Sequence, residues 1–290
     1  MKNNNKYGLL QFRKEFATEK QCLSVIFEAL HTYECSCGGR YNPLEGRRQY
    51  QCSKCRHQIA PTAGTIFHKS DTPLTIWFFA IFLFAHAKSG ISAKQLQRDL
   101  GVTYKTAWRI LTLIRKALPQ DTDKLKGIVE TDSAYFGGRR NAGENNKNLS
   151  QAIQAKSVVM GAVERGGRMR AKVVPDNTAD THFAFVRNNI DKSGTRLMTD
   201  SGASYKSAAF GYDRRAVDHH RKEYVRGDAH VNTMETFWAH AKRSIAGTHK
   251  IISKKYLQSY LDGFVFHYNN RHSDSERFSS LLDALLQPAK

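Results

Sequence analysis

Two short apolar runs that each close on an aspartate, followed by a helix that opens with a glutamate in its first turn, constrain this chain more than any other feature. Gly127-Ile-Val-Glu-Thr-Asp132 and Thr195-Arg-Leu-Met-Thr-Asp200 read as strands bounded by Gly, Ser and charged residues. The stretch from Asn232 to Arg243 reads as a helix and carries Glu235. A fold that brings Asp132, Asp200 and Glu235 together must lay that helix across a sheet. Three adjacent carboxylates repel one another unless divalent cations neutralise them, and an all-oxygen set suits magnesium or manganese rather than zinc.

Each carboxylate also has a plainer reading. Asp200 precedes Ser-Gly and could be a turn residue. Asn232-x-x-Glu235 spells a capping box. Glu130 lies two residues before Asp132, shares its strand face, and could be the ligand instead. The arrangement favours the set: two aspartates at strand ends, then a helical Glu with Lys242 seven residues on, nearly two turns along the same face. Lys242 would there hold a DNA phosphate.

Charge narrows the partner. Lys plus Arg number 45 and Asp plus Glu 26, a formal net charge of +19, with a sequence pI near 9.8. Such a polycation attracts nucleic acid or anionic membrane without specific contacts. The most apolar run, from Ile76 to Ala85, has about half the length a spanning helix needs, so a buried core helix is expected and no membrane span. The polar start Met1-Lys-Asn-Asn-Asn shows no secretory signal pattern. Five cysteines, four of them in two close pairs, fit a reducing cytoplasm and a metal site better than a disulfide framework.

Those pairs are Cys35-Ser-Cys37 and Cys52-Ser-Lys-Cys55. Two knuckles offering two thiolates each are what a structural zinc ribbon requires. The second has standard C-x-x-C spacing and the first is one residue tighter. Either the tight pair still reaches one zinc, or the site recruits His31 or His57, or the knuckle is metal-free. Cys22, inside a helical pattern at residues 8–30, reads as a core residue.

Residues 90–115 suggest two helices, with Ser92 capping the first, Gly101 in the turn and Thr103 capping the second. Ala107, Ile110, Leu111 and Ile114 face inward. The pattern is that of a helix-turn-helix or of an ordinary helical hairpin. In the first case Thr103, Tyr104, Lys105, Thr106 and Arg109 would meet DNA. Residues 119–124 read as a linker. Beyond it come strands at 157–163 and 169–174 joined at Gly166-Gly167, a polar loop at 139–148, a helix at 178–190, and helices from about 232 and 254. The whole predicts an α/β domain with a mixed sheet.

The chain resembles insertion-sequence transposases of the IS1595, or ISXO2-like, group. The resemblance rests on Tyr50-Gln-Cys-Ser-Lys-Cys-Arg-His-Gln, Thr62-Ala-Gly-Thr-Ile-Phe67, Gly90-Ile-Ser-Ala-Lys-Gln-Leu and Gly101-Val-Thr-Tyr-Lys-Thr-Ala-Trp-Arg109. It continues through Val129-Glu-Thr-Asp-Ser-Ala-Tyr-Phe-Gly-Gly138, His230-Val-Asn-Thr-Met-Glu-Thr-Phe-Trp238, Lys242-Arg243, Gly247-Thr and Phe266-His-Tyr-Asn-Asn-Arg271. It implies a DDE enzyme with an RNase H-like catalytic core, preceded by a zinc-ribbon-like knuckle and a helix-turn-helix region. The implied boundaries are 1–32 for an N-terminal helical segment, 33–70 for the ribbon and 71–120 for the helix-turn-helix. Residues 121–275 would form the catalytic domain and 276–290 a tail.

The family pattern implies Asp132, Asp200 and Glu235 as the catalytic set. Two magnesium or manganese ions would be held there, with zinc on Cys35, Cys37, Cys52 and Cys55. Glu130 falls beside the set rather than within it. Lys242 and Arg243 would touch DNA. Two departures stand out: Glu34 occupies the place of the first knuckle's first Cys, and Ser133 replaces a family Glu. The implied reaction is metal-dependent cutting of double-stranded DNA at element ends and joining of the 3′-hydroxyl to a target. A homo-oligomer on DNA and a bacterial, cytoplasmic, nucleoid-associated setting go with it. The competing readings are a catalytically silent DNA-binding regulator and a plain metal-dependent nuclease.

Overall fold

The structure, a computed structural model, describes residues 7–118, 122–137, 156–218, 221 and 223–286. The polar loop at 139–148 and residues 119–121 of the expected linker lie outside them. The chain divides into two compact units, one of residues 1–119 with 270–290 and one of 120–269.

In the first unit, α1 (Leu9–Glu15) and α2 (Glu19–Leu30) interrupt the expected N-terminal helix at Thr18. That residue forms a capping box with Gln21. A three-stranded antiparallel ribbon follows, β1 (Tyr41–Pro43), β2 (Tyr50–Cys52) and β3 (Gln58–Ile59). Pro73 starts α3 (Leu74–His86), which buries residues on nearly every side, as its continuous apolar run demands. Two further helices, α4 (Ala93–Leu100) and α5 (Tyr104–Lys116), are joined by a turn at Gly101, whose φ of 65° suits a residue without Cβ.

The second unit is built on a five-stranded sheet. Its strands are β4 (Ile128–Phe136), β5 (Ser157–Glu164), β6 (Met169–Val174), β7 (Arg196–Asp200) and β8 (Asp213–Val217). The order is β6-β5-β4-β7-β8. The first three pair antiparallel, while β4–β7 and β7–β8 are parallel, so the sheet is mixed as the strand pattern predicts. One face packs on α6 (Ala179–Asn189) and α7 (Ala203–Ala208) through Val129, Met160, Ala162 and Leu197. The other packs on α8 (Asn232–Ser244) and α9 (Lys254–Asn269) through Ala134, Phe136, Val159 and Val163.

Two expectations need correction, and one strand goes unforeseen. Asp132 does not close its strand: β4 runs on to Phe136, because Ala134 and Phe136 continue the buried alternation and Phe136 pairs with Ser157. The edge strand β8 escapes a hydrophobic-pattern search because its sequence, Asp-Arg-Arg-Ala-Val, is mostly charged. Residues 276–290, read as a tail, contribute most of a helix, α10 (Asp274–Leu286). It buries Phe278, Leu281, Leu282, Leu285 and Leu286 within the first unit.

Candidate active site

Strand register sets the first relationship. Ile128, Val129 and Glu130 of β4 lie opposite Arg196, Leu197 and Met198 of β7. Two residues further along each strand are Asp132 and Asp200, so the same offset puts the two aspartates at one level on adjacent strands. Both point to the face covered by α8, because alternate residues share a face. Asp200 Oδ1 also accepts the backbone N–H of Gly202 at 2.9 Å, so it has the turn role its Ser-Gly context suggested. On the antiparallel side, Asp132 lies opposite Gly161.

Gly161 explains how the helix comes close. A Cβ there would meet Met234 Cε at 2.4 Å and Trp238 Cζ2 at 2.7 Å. The missing side chain lets α8 settle onto the sheet beside Asp132, bringing Glu235 with it. Burial is the largest influence on Asp132, pushing its carboxyl up to about 6. The charges of Asp200 and Glu235 push it the same way, while the Ser133 amide and the Trp238 indole oppose them. Asp132 therefore feels the charge of both other carboxylates.

Glu130 is occupied elsewhere. Its side chain is fully buried, and Oε2 accepts the backbone N–H groups of Thr233 at 2.9 Å and Met234 at 3.3 Å. Oε1 accepts from Thr233 Oγ1 at 3.0 Å and from Arg165 Nε at 2.9 Å, and His230 Nδ1 lies 3.2 Å away. Arg165 further donates to the carbonyl oxygens of Asp228 and His230. Thus a strand carboxylate caps α8, where unpaired N–H groups and the helix dipole favour negative charge. The helix's own cap residue is Val231, with no side-chain cap bond, so the Asn232–Glu235 capping box does not form. A carboxylate already engaged by four donors makes a poor metal ligand, which argues against Glu130 as an alternative to Asp132.

The set of Asp132, Asp200 and Glu235 would suit hard divalent cations, since it offers only carboxylate oxygens, and burial first, then the two neighbouring charges, raises Asp132. The three oxygens do not close into a single-ion cage. Among the described residues, only the four cysteines form a group whose ligand atoms all lie within 4.8 Å of one another.

That thiol cluster fits zinc. Cys35 Sγ is 3.6 Å from Cys55 Sγ, and Cys37 Sγ is 3.5 Å from Cys52 Sγ. Four ligands about 2.3 Å from a tetrahedral ion lie roughly 3.8 Å apart. Despite its shortness, the C-x-C loop closes because Cys35 N–H donates to Gly39 O and Gly38 N–H to Cys35 O, with Gly38 at φ 77°. Gly39 must lack a side chain, since a Cβ would lie 2.5 Å from Cys52 Sγ. The Cys37 amide, with Tyr41, lowers the Cys35 thiol to about 6. His57 is engaged by the Tyr41 hydroxyl at 2.7 Å and His31 is outside the group, so neither is recruited.

The remaining expected residues lie at the surface. Thr103 caps α5 by accepting the Thr106 N–H at 3.2 Å, and Tyr104, Lys105 and Arg109 are exposed beside it, with Thr106 half-buried. Lys94 Nζ sits 5.1 Å from the Tyr104 ring centre. Lys242 and Arg243 are exposed on α8, and Lys242 Nζ lies 5.6 Å from the Phe136 ring centre. Gly161, Arg165, His230 and Thr233 were not singled out from sequence. The available signal was a glycine inside an otherwise mostly apolar strand, which marks a close approach.

A family model described as the ISXO2-like transposase domain matches residues 124–269, half of the chain, and the chain belongs to that family. It is also 27% identical over 237 residues to an uncharacterized protein in transposable element ISH50 of Halobacterium salinarum. That match covers 78% of this chain and 80% of the relative. A crystal structure of a pre-cleavage Mos1 transpososome aligns over 71% of this chain and 74% of its own at 10% identity. Its TM-score of 0.29 is too low to compare the folds.

Proposed function

We propose that this chain is a DDE transposase that cuts DNA at the ends of an insertion sequence and joins the freed 3′-hydroxyl to target DNA. Asp132, Asp200 and Glu235 are its catalytic carboxylates. The observation that carries the reading is the convergence of Asp200 and Glu235 on Asp132, whose carboxyl they help push up. Membership of the transposase family supports it. Two magnesium or manganese ions held by these three residues would supply an activated attacking oxygen and stabilise the leaving one during in-line phosphodiester displacement.

The chain's own residues hold the geometry. Glu130 and Arg165 tie the start of α8 to β4, and Gly161 sets the distance between that helix and the sheet. The strand order β6-β5-β4-β7-β8, antiparallel then parallel, supports an RNase H-like core. Lys242 and Arg243 attract the phosphate backbone. The helices α4 and α5 act as a helix-turn-helix that reads the element ends through Tyr104, Lys105, Thr106 and Arg109, with the zinc-loaded ribbon beside them in sequence. A net charge of +19 makes DNA the natural partner and makes its binding steeply salt-dependent. The enzyme works as a homo-oligomer on two DNA ends in the bacterial cytoplasm.

The test is a magnesium-dependent assay on a supercoiled plasmid carrying the element ends, comparing the native chain with Asp200→Asn. Nicked and joined products from the native chain alone are expected. DNA bound but never cut or joined by either protein would favour a catalytically silent regulator. Cutting without joining, and without need of defined ends, would favour a plain nuclease.

A further inference from the structure

Trp238 follows Glu235 by three residues on α8, so the two side chains are neighbours on the helix surface. The ring packs into the core that α8 forms with the sheet, and only 4% of the residue is exposed. It is held from several sides. Its centre lies 5.7 Å from that of Phe136 and 5.2 Å from that of Phe237. Its Cζ2 and Cη2 stand 2.7 and 2.9 Å from where a Cβ on Gly161 would be.

This placement brings a polar atom to the acidic site. Gly161 lies opposite Asp132 across the β4–β5 pair, and residues so paired turn to the same face about 5 Å apart. Cζ2 and Nε1 are bonded to the same carbon of the indole, so the ring edge that covers Gly161 carries the N–H beside Asp132. That donor is buried and completes no hydrogen bond among the described residues. A buried indole N–H ordinarily finds a partner, and one left open calls for a reason. Phe136 and Phe237 offer no acceptor, and Met234, which also covers Gly161, offers only a thioether. The Asp132 carboxylate is the strong acceptor at hand. Burial chiefly raises that carboxyl, and the indole is one of the groups that hold it down.

We propose that Trp238 is a positioning residue for Asp132: its indole N–H donates to one oxygen of that carboxylate in the metal-loaded protein and fixes the orientation of the side chain. The inference rests on the transposase reading above, in which Asp132 is a metal ligand. A charge-assisted hydrogen bond to an anionic carboxylate is shorter and stronger than a neutral one, so loading the site is what completes the bond. Hydrogen bonds that orient a ligand in this way are worth about 10–100-fold in metal affinity. One helix thus supplies both the ligand Glu235 and the group that orients the ligand Asp132, and seating α8 on Gly161 assembles the two together.

The experiment follows the indole N–H groups of the isotope-labelled full chain by magnetic resonance, one signal for each of its three tryptophans. Trp238→Phe identifies its signal by loss, and Trp77→Phe and Trp108→Phe identify the other two. Added magnesium should move the Trp238 signal downfield and slow its exchange with water, and should leave it in place in Asp132→Asn. Manganese binding, measured by electron spin resonance, should weaken about tenfold in Trp238→Phe. It should stay near the native value in Phe237→Leu, which loosens the same packing but keeps the N–H. Native metal binding with a Trp238 signal that magnesium does not move would overturn the inference and leave the carboxylate site intact. Equal weakening in Trp238→Phe and Phe237→Leu would reduce the ring to packing and overturn it as well. A native chain that binds neither ion would overturn the metal site and the inference together.

Discussion

Glu130 accepts the backbone N–H of Thr233 at 2.9 Å, so a residue two positions before Asp132 caps the helix that carries Glu235. The bond spans 103 residues of sequence and joins the two elements whose separation sets the acidic site. Its oxygens are shared with Arg165, whose guanidinium also holds the segment leading into α8.

Glu130→Ala leaves Arg165 without its buried partner and the first amides of α8 without an acceptor. Breaking such a pair costs about 3 kcal/mol or more. Chemical denaturation should register that loss, and strand joining measured well below the melting temperature should fall further than the folded fraction. Activity that tracks the folded fraction alone would reduce Glu130 to a stabilising role.

Gly161→Ala forces a methyl group against Met234 and Trp238. The flexible end of Met234 yields; the Trp238 ring, packed in the core beside Phe136, does not. Overpacking of this kind costs roughly 1–3 kcal/mol. A lower melting temperature is expected, together with a loss of cutting as α8 lifts Glu235 away from Asp132. Native stability in this variant would show that the helix does not press on the strand there.

The Asp132 carboxyl stands near 6 when folded, above its ordinary value of 3.8. The folded chain therefore holds a proton that the unfolded chain has lost between those two pH values. This contribution is full below about 3.8 and is lost as pH rises through 6. In EDTA, the native chain should lose stability from pH 4.5 to pH 7 by more than Asp132→Asn does. Divalent cations compete with that proton, so manganese affinity should weaken below about pH 6, as titrations at several pH values can measure.

For the thiol cluster, about one zinc per chain is expected by metal analysis, and Cys52→Ser should remove it. Because Cys52 is buried where its sulfur meets Gly39, the ribbon should also become protease-sensitive. Unchanged zinc content in Cys52→Ser would exclude this cluster as the site.

On α5, Lys105→Ala and Arg109→Ala should each weaken binding of element-end duplexes and lower the slope of log affinity against log salt by about 0.9. Both residues are exposed, so folding should be unaffected. A slope unchanged by either substitution would take α5 off the DNA.

Local pattern was enough for much of the architecture. Side chains within three or four residues cap a helix, so Ser92 and Thr103 announced α4 and α5, which begin where their hydroxyls accept the Gln95 and Thr106 amides. A continuous apolar run gave away β5 and an alternating one β6, and the Gly166-Gly167 turn joins them. Cysteine spacing marked out the four thiols that the ribbon gathers. Net charge needs no structure at all.

Tertiary contacts decided the rest. Glu130 and Asp132 sit on one strand face with the same chemistry, and only the arrival of Arg165 and the α8 amides makes one a buried, ion-paired cap. Asn232 and Glu235 match a capping box, yet Val231 is the cap because the acceptor comes from another strand. Strand β8 gains its place by pairing with β7, and helix α10 gains its place from partners such as Ala85, 192 residues from Arg277. Hydrogen-bond donors, desolvation and sheet register act across space, so residues that are alike along the chain acquire different environments only when the fold brings their partners to them.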